Sequence, residues 1–256
     1  MAGCVITIVG AESTGKSTLA QALCDALNAP RPESTPAASS TADHRPRCAH
    51  VDETLRSFCL RTGRTPTRAE QADIAAEQSR RIAAAAAAHE VVIADTSALM
   101  TAVYSDYVFG DTSLYGSALA TQAGYDLTLL TALDLPWQAD GLQRDGAHVR
   151  QPVDALIRRA LQGASLGWSV VTGQGDARLA NALAAIERMS ASRPAPARPG
   201  QDSHDDNDVD SGGDGNNGAD ADDACGRSGW RHVCQRCGDG SCERRLLALQ
   251  RLTRDA

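Results

Sequence analysis

The residues from Gly10 to Ser17, GAESTGKS, match the pattern G-x-x-x-x-G-K-[ST] in full. Glycines at both ends of such a loop permit backbone turns that direct successive N–H groups toward a phosphate. In this pattern the lysine reaches the β- and γ-phosphates, and the following hydroxyl binds Mg²⁺. We therefore expect ATP and Mg²⁺ to bind at Gly10, Ala11, Glu12, Ser13, Thr14, Gly15, Lys16, Ser17 and Thr18.

Lys16 is the only lysine in the chain, although the sequence contains 25 lysine and arginine residues in all. The chain uses arginine at every other basic position, which indicates a compositional bias toward arginine. A lysine retained inside a glycine loop indicates a position where a narrow ammonium fits and a planar guanidinium does not. Chance placement is the alternative, and the surrounding motif disfavours it.

Two carboxylates follow hydrophobic runs that read as strands. Asp95 ends VVIAD, where this type of fold places an acidic residue beside the metal and next to the first strand. The alternative is that Asp95 or Ser97 caps the next helix. Glu53 follows a short strand in HVDE and is placed to accept the proton of an attacking hydroxyl or to hold a metal-bound water. For this residue the alternative is an ion pair with Arg56, and Asp52 is a rival.

A loop rich in Pro and Gly, DLPWQADGLQRDG, follows the fourth predicted strand. We expect Arg144, with Arg150 as a second candidate, to close over the triphosphate, because a mobile cation stabilises the charge on a transferring phosphoryl group and excludes water. Trp137 and Asp140 are candidates for contacting the acceptor. The alternative for Trp137 is that it fills a gap in the core.

Alternating strand and helix patterns surround these motifs. The predicted strands are Cys4–Val9, His50–Asp52, Val91–Ala94, Tyr125–Leu130 and Ser169–Thr172. The predicted helices are Ser17–Leu27, Thr54–Arg61, a long one opened by the capping box Thr67–Glu70 and ending near Ala88, Ser97–Phe109, Val153–Gln162, and one that Asp176 caps and that ends near Arg188. This order predicts an α/β fold, a parallel sheet with helices on both faces, of the three-layer P-loop NTPase type.

Composition divides the chain into three parts. Residues 1–190 predict the P-loop domain, with a flexible insertion at 30–47 that is rich in Pro, Ser and Thr. Residues 191–224 contain nine Asp together with many Pro, Gly and Asn, and predict a disordered acidic linker. Residues 225–256 form a short cysteine-bearing tail.

The tail has the spacing Cys234-x₂-Cys237-x₄-Cys242, with Cys225 and His232 nearby. Such ligands suit tetrahedral Zn²⁺. Zinc in the tail is therefore one hypothesis, and reduced, exposed thiols are the other. The tail is also a candidate for contacting a protein partner.

The net charge of −7 disfavours sequence-independent binding of nucleic acid, which requires a basic surface. No stretch approaches the roughly 18–20 apolar residues that span a bilayer, so we expect no membrane partner. The N-terminal segment lacks the basic start of a signal peptide. We therefore expect a cytoplasmic protein with reduced thiols.

Several segments together resemble the nicotinamide riboside kinase domain of the NadR type and related AAA-like P-loop proteins. They are GAESTGKST, VDETLR, ADTSALMTAVYSDYVFGD, YDLTLLTALDLPWQADGLQRDG and VTGQGDARLANAL, and they span roughly residues 3–189. The resemblance implies transfer of the ATP γ-phosphoryl group to the 5′-hydroxyl of a nicotinamide riboside-like nucleoside. It places Lys16 and Ser17 at the nucleotide, Asp95 at the Mg²⁺ or base position, and Trp137, Asp140 and Arg144 in the acceptor and lid loop.

The chain departs from this family at Ser97, where an acidic residue is common, and it lacks an H-x-G-H nucleotidyltransferase signature. A nucleotide-dependent switch and a generic ATP hydrolase are the alternative functions. A switch needs loops that sense the γ-phosphate, whereas a kinase needs a pocket for an acceptor.

Overall fold

The structure, a computed structural model, describes residues 3–29, 47–138 and 146–192. The predicted linker, the tail and nearly all of the predicted insertion lie outside these residues. The strands of the described part are β1 (Cys4–Val9), β2 (Cys48–Val51), β3 (Val91–Asp95), β4 (Leu127–Thr131) and β5 (Ser169–Val171). Its helices are α1 (Lys16–Asn28), α2 (Thr54–Thr62), α3 (Gln71–Ala88), α4 (Ala98–Phe109), α5 (Tyr115–Gln122), α6 (Arg150–Gly163) and α7 (Gly175–Ser192).

All five strands run parallel, in the order β2-β3-β1-β4-β5. The central strand β1 pairs with β3 on one side and β4 on the other, so the loop after β1 lies between the ends of both neighbours. In this register Ile8 is opposite Asp95. The predicted α/β fold is confirmed, and the carboxyl edge of the sheet becomes the place for a ligand.

Alternate residues of β1 pack into cores on opposite faces of the sheet. Ile6 and Ile8 are fully buried on the face covered by α1 and α7. Val9 packs with α4 and α6, and Val5 packs with α3, on the other face. Because β-branched residues serve both faces, the sequence of this strand reads as a continuous hydrophobic run. The two helical layers fix where the loops at the carboxyl edge begin.

The capping box at Thr67 and Glu70 is confirmed, and it opens a single 3-10 turn, Arg68–Glu70, that leads directly into α3. Helix α5 was not predicted, because its sequence YGSALATQ lacks a helical hydrophobic pattern. Asp176 does not cap the last helix, since α7 already begins at Gly175 and Asp176 lies in its first turn. Strand β4 begins two residues later than predicted, and the carboxylate of Asp126 just before it accepts a 2.8 Å bond from the Val5 amide.

Within the described part of the chain, no helix is both long enough and apolar enough to cross a membrane.

Candidate functional site

The loop between β1 and α1 adopts a backbone that glycine makes possible. Gly10 has φ +154° and Gly15 has φ +74°. A Cβ on Gly10 would lie 2.0 Å from Oγ1 of Thr131, so no side chain fits there. Ser13 also has a positive φ of 54°. The loop is therefore a tight cradle of the kind that binds phosphate oxygens with backbone amides.

Two threonines lock this cradle to the neighbouring strand. The Thr14 hydroxyl donates to the carbonyl oxygen of Ala11 at 2.8 Å and lies 2.7 Å from the Thr131 hydroxyl at the end of β4. Both threonines are fully buried. Buried and mutually bonded hydroxyls hold one loop conformation because any departure would leave a polar group without a partner.

A buried arginine from α7 holds the same loop from its other side. Arg178 donates to the carbonyl oxygen of Thr14 at 2.8 Å and to Oδ1 of Asp134 at 2.8 Å. It is 4% exposed. Burial acts to raise the pKa of Asp134, but hydrogen bonds from Arg178 and from the Gly173 amide outweigh burial and hold that pKa below its ordinary value. The ion pair therefore ties α7, β4 and the loop together.

Lys16, the first residue of α1, donates from Nζ to the carbonyl oxygen of Ala11 at 2.8 Å. Its ammonium is therefore held over the loop itself, in contact with a cavity of about 600 Å³. Residues 12–18 and Thr96 line one part of this cavity, which we call the phosphate end. The other part, the far end, is lined by Glu53, Leu55, Arg56, Cys59, residues 65–68, Gln71, Met100, Tyr104, Val108 and Phe109.

Asp95 ends β3 next to the phosphate end. Its residue is 3% exposed, and Oδ1 is buried with no hydrogen-bond partner in the described part of the chain. A buried carboxylate oxygen of this kind requires a cation or a donor. The next residue, Thr96, lines the cavity. Its φ of +75° is unfavourable for a β-branched residue, so the backbone is strained at this end of β3. Asp95 itself does not line the cavity, whereas the half-buried Ser17 does. The Asp95 carboxylate and the Ser17 hydroxyl are both oxygen groups, the type of ligand that Mg²⁺ prefers together with several waters.

Among the described residues, no cluster of three or more His, Cys, Asp or Glu side chains is arranged to hold a metal ion. A metal at this site would therefore depend on few protein ligands and on the phosphates of a nucleotide. Magnesium binds nucleotides in this way, whereas structural zinc takes four protein ligands. The zinc hypothesis for Cys225, Cys234, Cys237 and Cys242 concerns residues outside the described part.

Glu53 and Asp52 are separated by their surroundings. Glu53 precedes α2 and lines the far end, with its Oε2 3.8 Å from Nε of Arg56. The side chain of Asp52 is 71% exposed and lies 3.6 Å from the ring of His50. Glu53 therefore both lines the cavity and pairs with Arg56, so its two predicted roles are compatible. Asp52 does not line the cavity.

The far end combines two aromatic side chains, Tyr104 and Phe109, with charged groups. Arg68 donates to Oδ2 of Asp111 at 2.8 Å, which joins the 3-10 turn before α3 to the loop after α4. Burial raises the pKa of the Cys59 thiol in the cavity wall. A compartment of this mixed character suits a planar polar molecule better than water alone.

Ser97 takes no part in the cavity. Its hydroxyl donates to Oε1 of Gln122 at 2.6 Å, and Nε2 of Gln122 bonds Thr7 and Thr128 at 2.8 Å each. The four side chains form a buried network beneath the sheet edge. The position at which the family commonly has an acid is therefore structural in this chain.

The loop after β4 begins beside the phosphate loop. The Gln138 amide donates to the Ser13 hydroxyl at 2.7 Å, and Leu135 lies close enough to Gly15 that an added Cβ would approach it to 2.9 Å. Trp137 is half-buried and is not among the residues that line the cavity. Asp140 and Arg144 lie outside the described residues.

Sequence reasoning missed Thr131 and Arg178, which hold the phosphate loop, and most of the far end, including Gln71, Tyr104 and Phe109. Nothing in the local sequence of Arg178 indicates that it contacts a loop 164 positions away. Gln71 directly follows the capping box, and that adjacency was a usable signal because it places the residue in the first helical turn.

A family model described as AAA domain matches residues 5–178. None of the curated proteins compared with the chain matches it in sequence. A solved structure of a NadR protein in complex with NR is similar over 77% of this chain and 54% of that one, with 20% identity and a TM-score of 0.58. A NadR protein in complex with NAD and AMP-PNP matches over 77% of this chain and 52% of that one, with 16% identity and a TM-score of 0.54. The chain spans about half the length of both, and at these identities the likeness establishes the fold.

Proposed function

The chain belongs to the AAA domain family, and from the site described above we propose that it is a kinase that transfers the γ-phosphoryl group of ATP to a hydroxyl of a small nucleoside. One observation carries this proposal: the phosphate end opens into a far end of different chemistry within a single cavity of about 600 Å³. Hydrolysis needs room for a water molecule only. A second compartment lined by Glu53, Gln71 and Tyr104 supports an organic acceptor.

Nicotinamide riboside is the acceptor that we propose. Its pyridinium ring is a planar cation, and such rings bind over aromatic faces and near carboxylates. Tyr104 and Phe109 supply aromatic faces of this kind at the far end. Two arginines also lie at the far end, but Arg56 is paired with Glu53 and Arg68 with Asp111. Because a carboxylate balances each guanidinium, a cationic ring can bind beside them. The NR held by the similar NadR structure supports this choice.

In the proposed reaction the 5′-hydroxyl oxygen of the nucleoside forms a bond to the γ-phosphorus, and the bond from that phosphorus to the β,γ-bridging oxygen breaks. The electron pair of the broken bond remains on ADP. Glu53 accepts the proton of the hydroxyl. Lys16 exchanges the carbonyl oxygen of Ala11 for phosphate oxygens, and its positive charge stabilises the transition state. The loop amides orient the β- and γ-phosphates.

Ser17 and Asp95 would hold Mg²⁺ beside the phosphates. The buried and unpartnered Oδ1 of Asp95 supports this role. When bound, Mg²⁺ neutralises negative charge on the phosphate oxygens. Without a cation, the Asp95 carboxylate would repel the phosphates, so its placement supports a nucleotide site that is loaded together with the metal.

We propose that the loop from 134 to 145 closes over the nucleotide. The bond from Gln138 to Ser13 starts this loop at the phosphate end, which supports Arg144 as the cation that contacts the transferring phosphoryl group. Trp137 and Asp140 stay predictions as acceptor contacts, since the far end described above is built from α2, α3 and α4 instead.

A panel of nucleosides with γ-labelled ATP tests the proposal. We expect label to appear on nicotinamide riboside at the 5′ position, with one ADP formed for each nucleotide produced. Release of free phosphate alone, at the same rate with and without every nucleoside, would contradict the kinase and favour a hydrolase or a switch.

A further inference from the structure

Gln71 is a buried amide in the wall of the far end. It is the first residue of α3 and is 5% exposed. Its Oε1 atom is buried and has no hydrogen-bond partner in the described part of the chain. The same side chain lines the cavity. An acceptor oxygen is therefore held without a donor beside the space where a ligand would bind.

The second buried glutamine of α3 shows what a structural role looks like. Gln78 lies seven residues along the same helix and is 2% exposed. Its Nε2 also has no partner in the described part of the chain, but its acceptor atom Oε1 receives a 2.7 Å bond from the Thr54 amide at the start of α2. Gln78 does not line the cavity. Because buried acceptors normally have donors, the unused oxygen of Gln71 indicates a donor that arrives with a ligand.

The charged groups around the far end do not supply that donor. Arg68 donates to Asp111 at 2.8 Å, and Arg56 lies 3.8 Å from Glu53. Neither arginine bonds Oε1 of Gln71, which has no partner among the described residues. A ligand that carries its own N–H group would satisfy the oxygen directly.

Resting on the function proposed above, we propose that Gln71 determines acceptor specificity by accepting a hydrogen bond from the carboxamide N–H of the nucleoside ring. A carboxamide carries two N–H donors in the plane of the ring and so suits an in-plane acceptor beside an aromatic wall. A ring that lacks a donor at this position leaves the glutamine oxygen buried and unpaired. Because a buried oxygen without a donor costs free energy, the protein should phosphorylate nucleosides with such rings less efficiently.

A pair of neutral substituents of nearly equal shape isolates this interaction. Nicotinamide riboside and 3-acetylpyridine riboside differ in one group, an amino group in the first and a methyl group in the second. Both have the same pyridinium charge. We expect kcat/KM of the wild-type protein to favour the amide by about 10-fold, the typical effect of one net hydrogen bond.

Three variants test whether Gln71 is the residue that accepts the hydrogen bond from the carboxamide of the substrate. Gln71→Leu should lower the ratio of the two kcat/KM values to about 1, because the acceptor oxygen is removed. Gln71→Glu keeps an acceptor oxygen and should keep a preference for the amide. Gln78→Leu removes a buried amide from the same helix and should lower the melting temperature while leaving the ratio unchanged. Circular dichroism of each variant checks that it is folded.

An unchanged ratio in folded Gln71→Leu, with nicotinamide riboside still phosphorylated, would overturn the inference and leave the proposed function in place. A ratio that falls equally in Gln78→Leu would also overturn it, since the effect would then be structural. If the wild-type protein phosphorylates neither riboside, the proposed acceptor and this inference fail together.

Discussion

Arg178, in α7, donates a 2.8 Å hydrogen bond to the backbone carbonyl of Thr14, in the middle of the phosphate loop. The two residues are 164 positions apart in the sequence. The same guanidinium bonds Asp134, which in turn accepts a 2.7 Å bond from the Gly173 amide. The conformation of the loop therefore depends on the last helix of the described chain.

Arg178→Met should weaken both the fold and the binding of ATP. We expect the free energy of unfolding to fall by about 1–3 kcal/mol, the usual cost of losing bonds from a charged group, with the lower half favoured because Asp134 is partly exposed. The KM for ATP should rise because the Thr14 carbonyl is released. Urea denaturation and initial rates measure the two effects.

Arg158→Met is the control for that change. Arg158 bonds Asp154 within α6 at 2.7 Å and is also largely enclosed, although its side chain is 20% exposed against 5% for Arg178. It should lower stability without changing the KM for ATP. An equal effect of both variants on that KM would show that Arg178 acts through general stability alone.

Lys16→Ala and Lys16→Arg should both fold and both lose phosphoryl transfer, by roughly 10²–10³-fold or more. Alanine removes the charge, and the guanidinium fork of arginine is too broad for the glycine cradle. Because Lys16 is the only lysine, an acyl phosphate of ATP should acylate one lysine side chain, which peptide mapping identifies. Normal turnover by either variant would contradict the assignment of the nucleotide site.

Gly10→Ala should abolish activity and destabilise the protein, because the new Cβ would meet Oγ1 of Thr131 at 2.0 Å. Gly163→Ala is the matched control, since a Cβ there has no atom within 4 Å. Thermal unfolding and the rate of ADP formation should separate the two variants. Similar melting temperatures for both would indicate that the loop relaxes away from β4.

Glu53→Gln should lower kcat by about 10²–10⁴-fold if its carboxylate accepts the proton of the attacking hydroxyl. The amide keeps the shape and loses the basicity. Asp52→Asn is the control, because Asp52 neighbours Glu53 but is 71% exposed. Equal loss in both variants, or a change in the KM for the nucleoside alone, would remove Glu53 from the role of base.

The carboxylate of Glu70 in the capping box should become protonated only at strongly acidic pH. Hydrogen bonds from Arg64, and then from the backbone and hydroxyl of Thr67, lower the pKa of Glu70 to about 2. A carboxyl whose folded pKa is depressed contributes stability that is complete above its unfolded pKa, about 4.3, and is lost as the pH falls through the folded value. The Thr67 amide resonance should therefore titrate with a midpoint near pH 2.

Glu70→Gln should remove that titration, whereas Glu77→Gln should preserve it. Glu77 lies in α3, the helix that follows the turn of Glu70, and pairs with Arg80 at 2.7 Å, whereas the Thr67 amide donates to Glu70. A Thr67 midpoint near the ordinary glutamate value would contradict the hydrogen bonds of the capping box.

The local pattern of the sequence determined the elements and the loop. A β-branched run predicted β1 to the residue, and G-x-x-x-x-G-K-S predicted the cradle between strand and helix. These features depend on residues that are neighbours in the sequence, because local dihedral preferences and the spacing of apolar residues determine them. Asp95 was placed beside β1 for a similar reason, because buried strands of alternating α/β chains pair in parallel at the centre of the sheet.

Only the tertiary structure decided which distant side chains complete the site. Thr131 and Arg178 reach the loop from β4 and α7, and Gln71 reaches the cavity from the start of α3. These contacts follow from strand order and helix packing, which bring together residues that are far apart in the chain. No periodic pattern in the sequence reports such contacts. For the same reason the wall of the far end is formed mainly by α2, α3 and α4, although the acceptor contacts predicted from the sequence, Trp137 and Asp140, lie in the loop that follows β4.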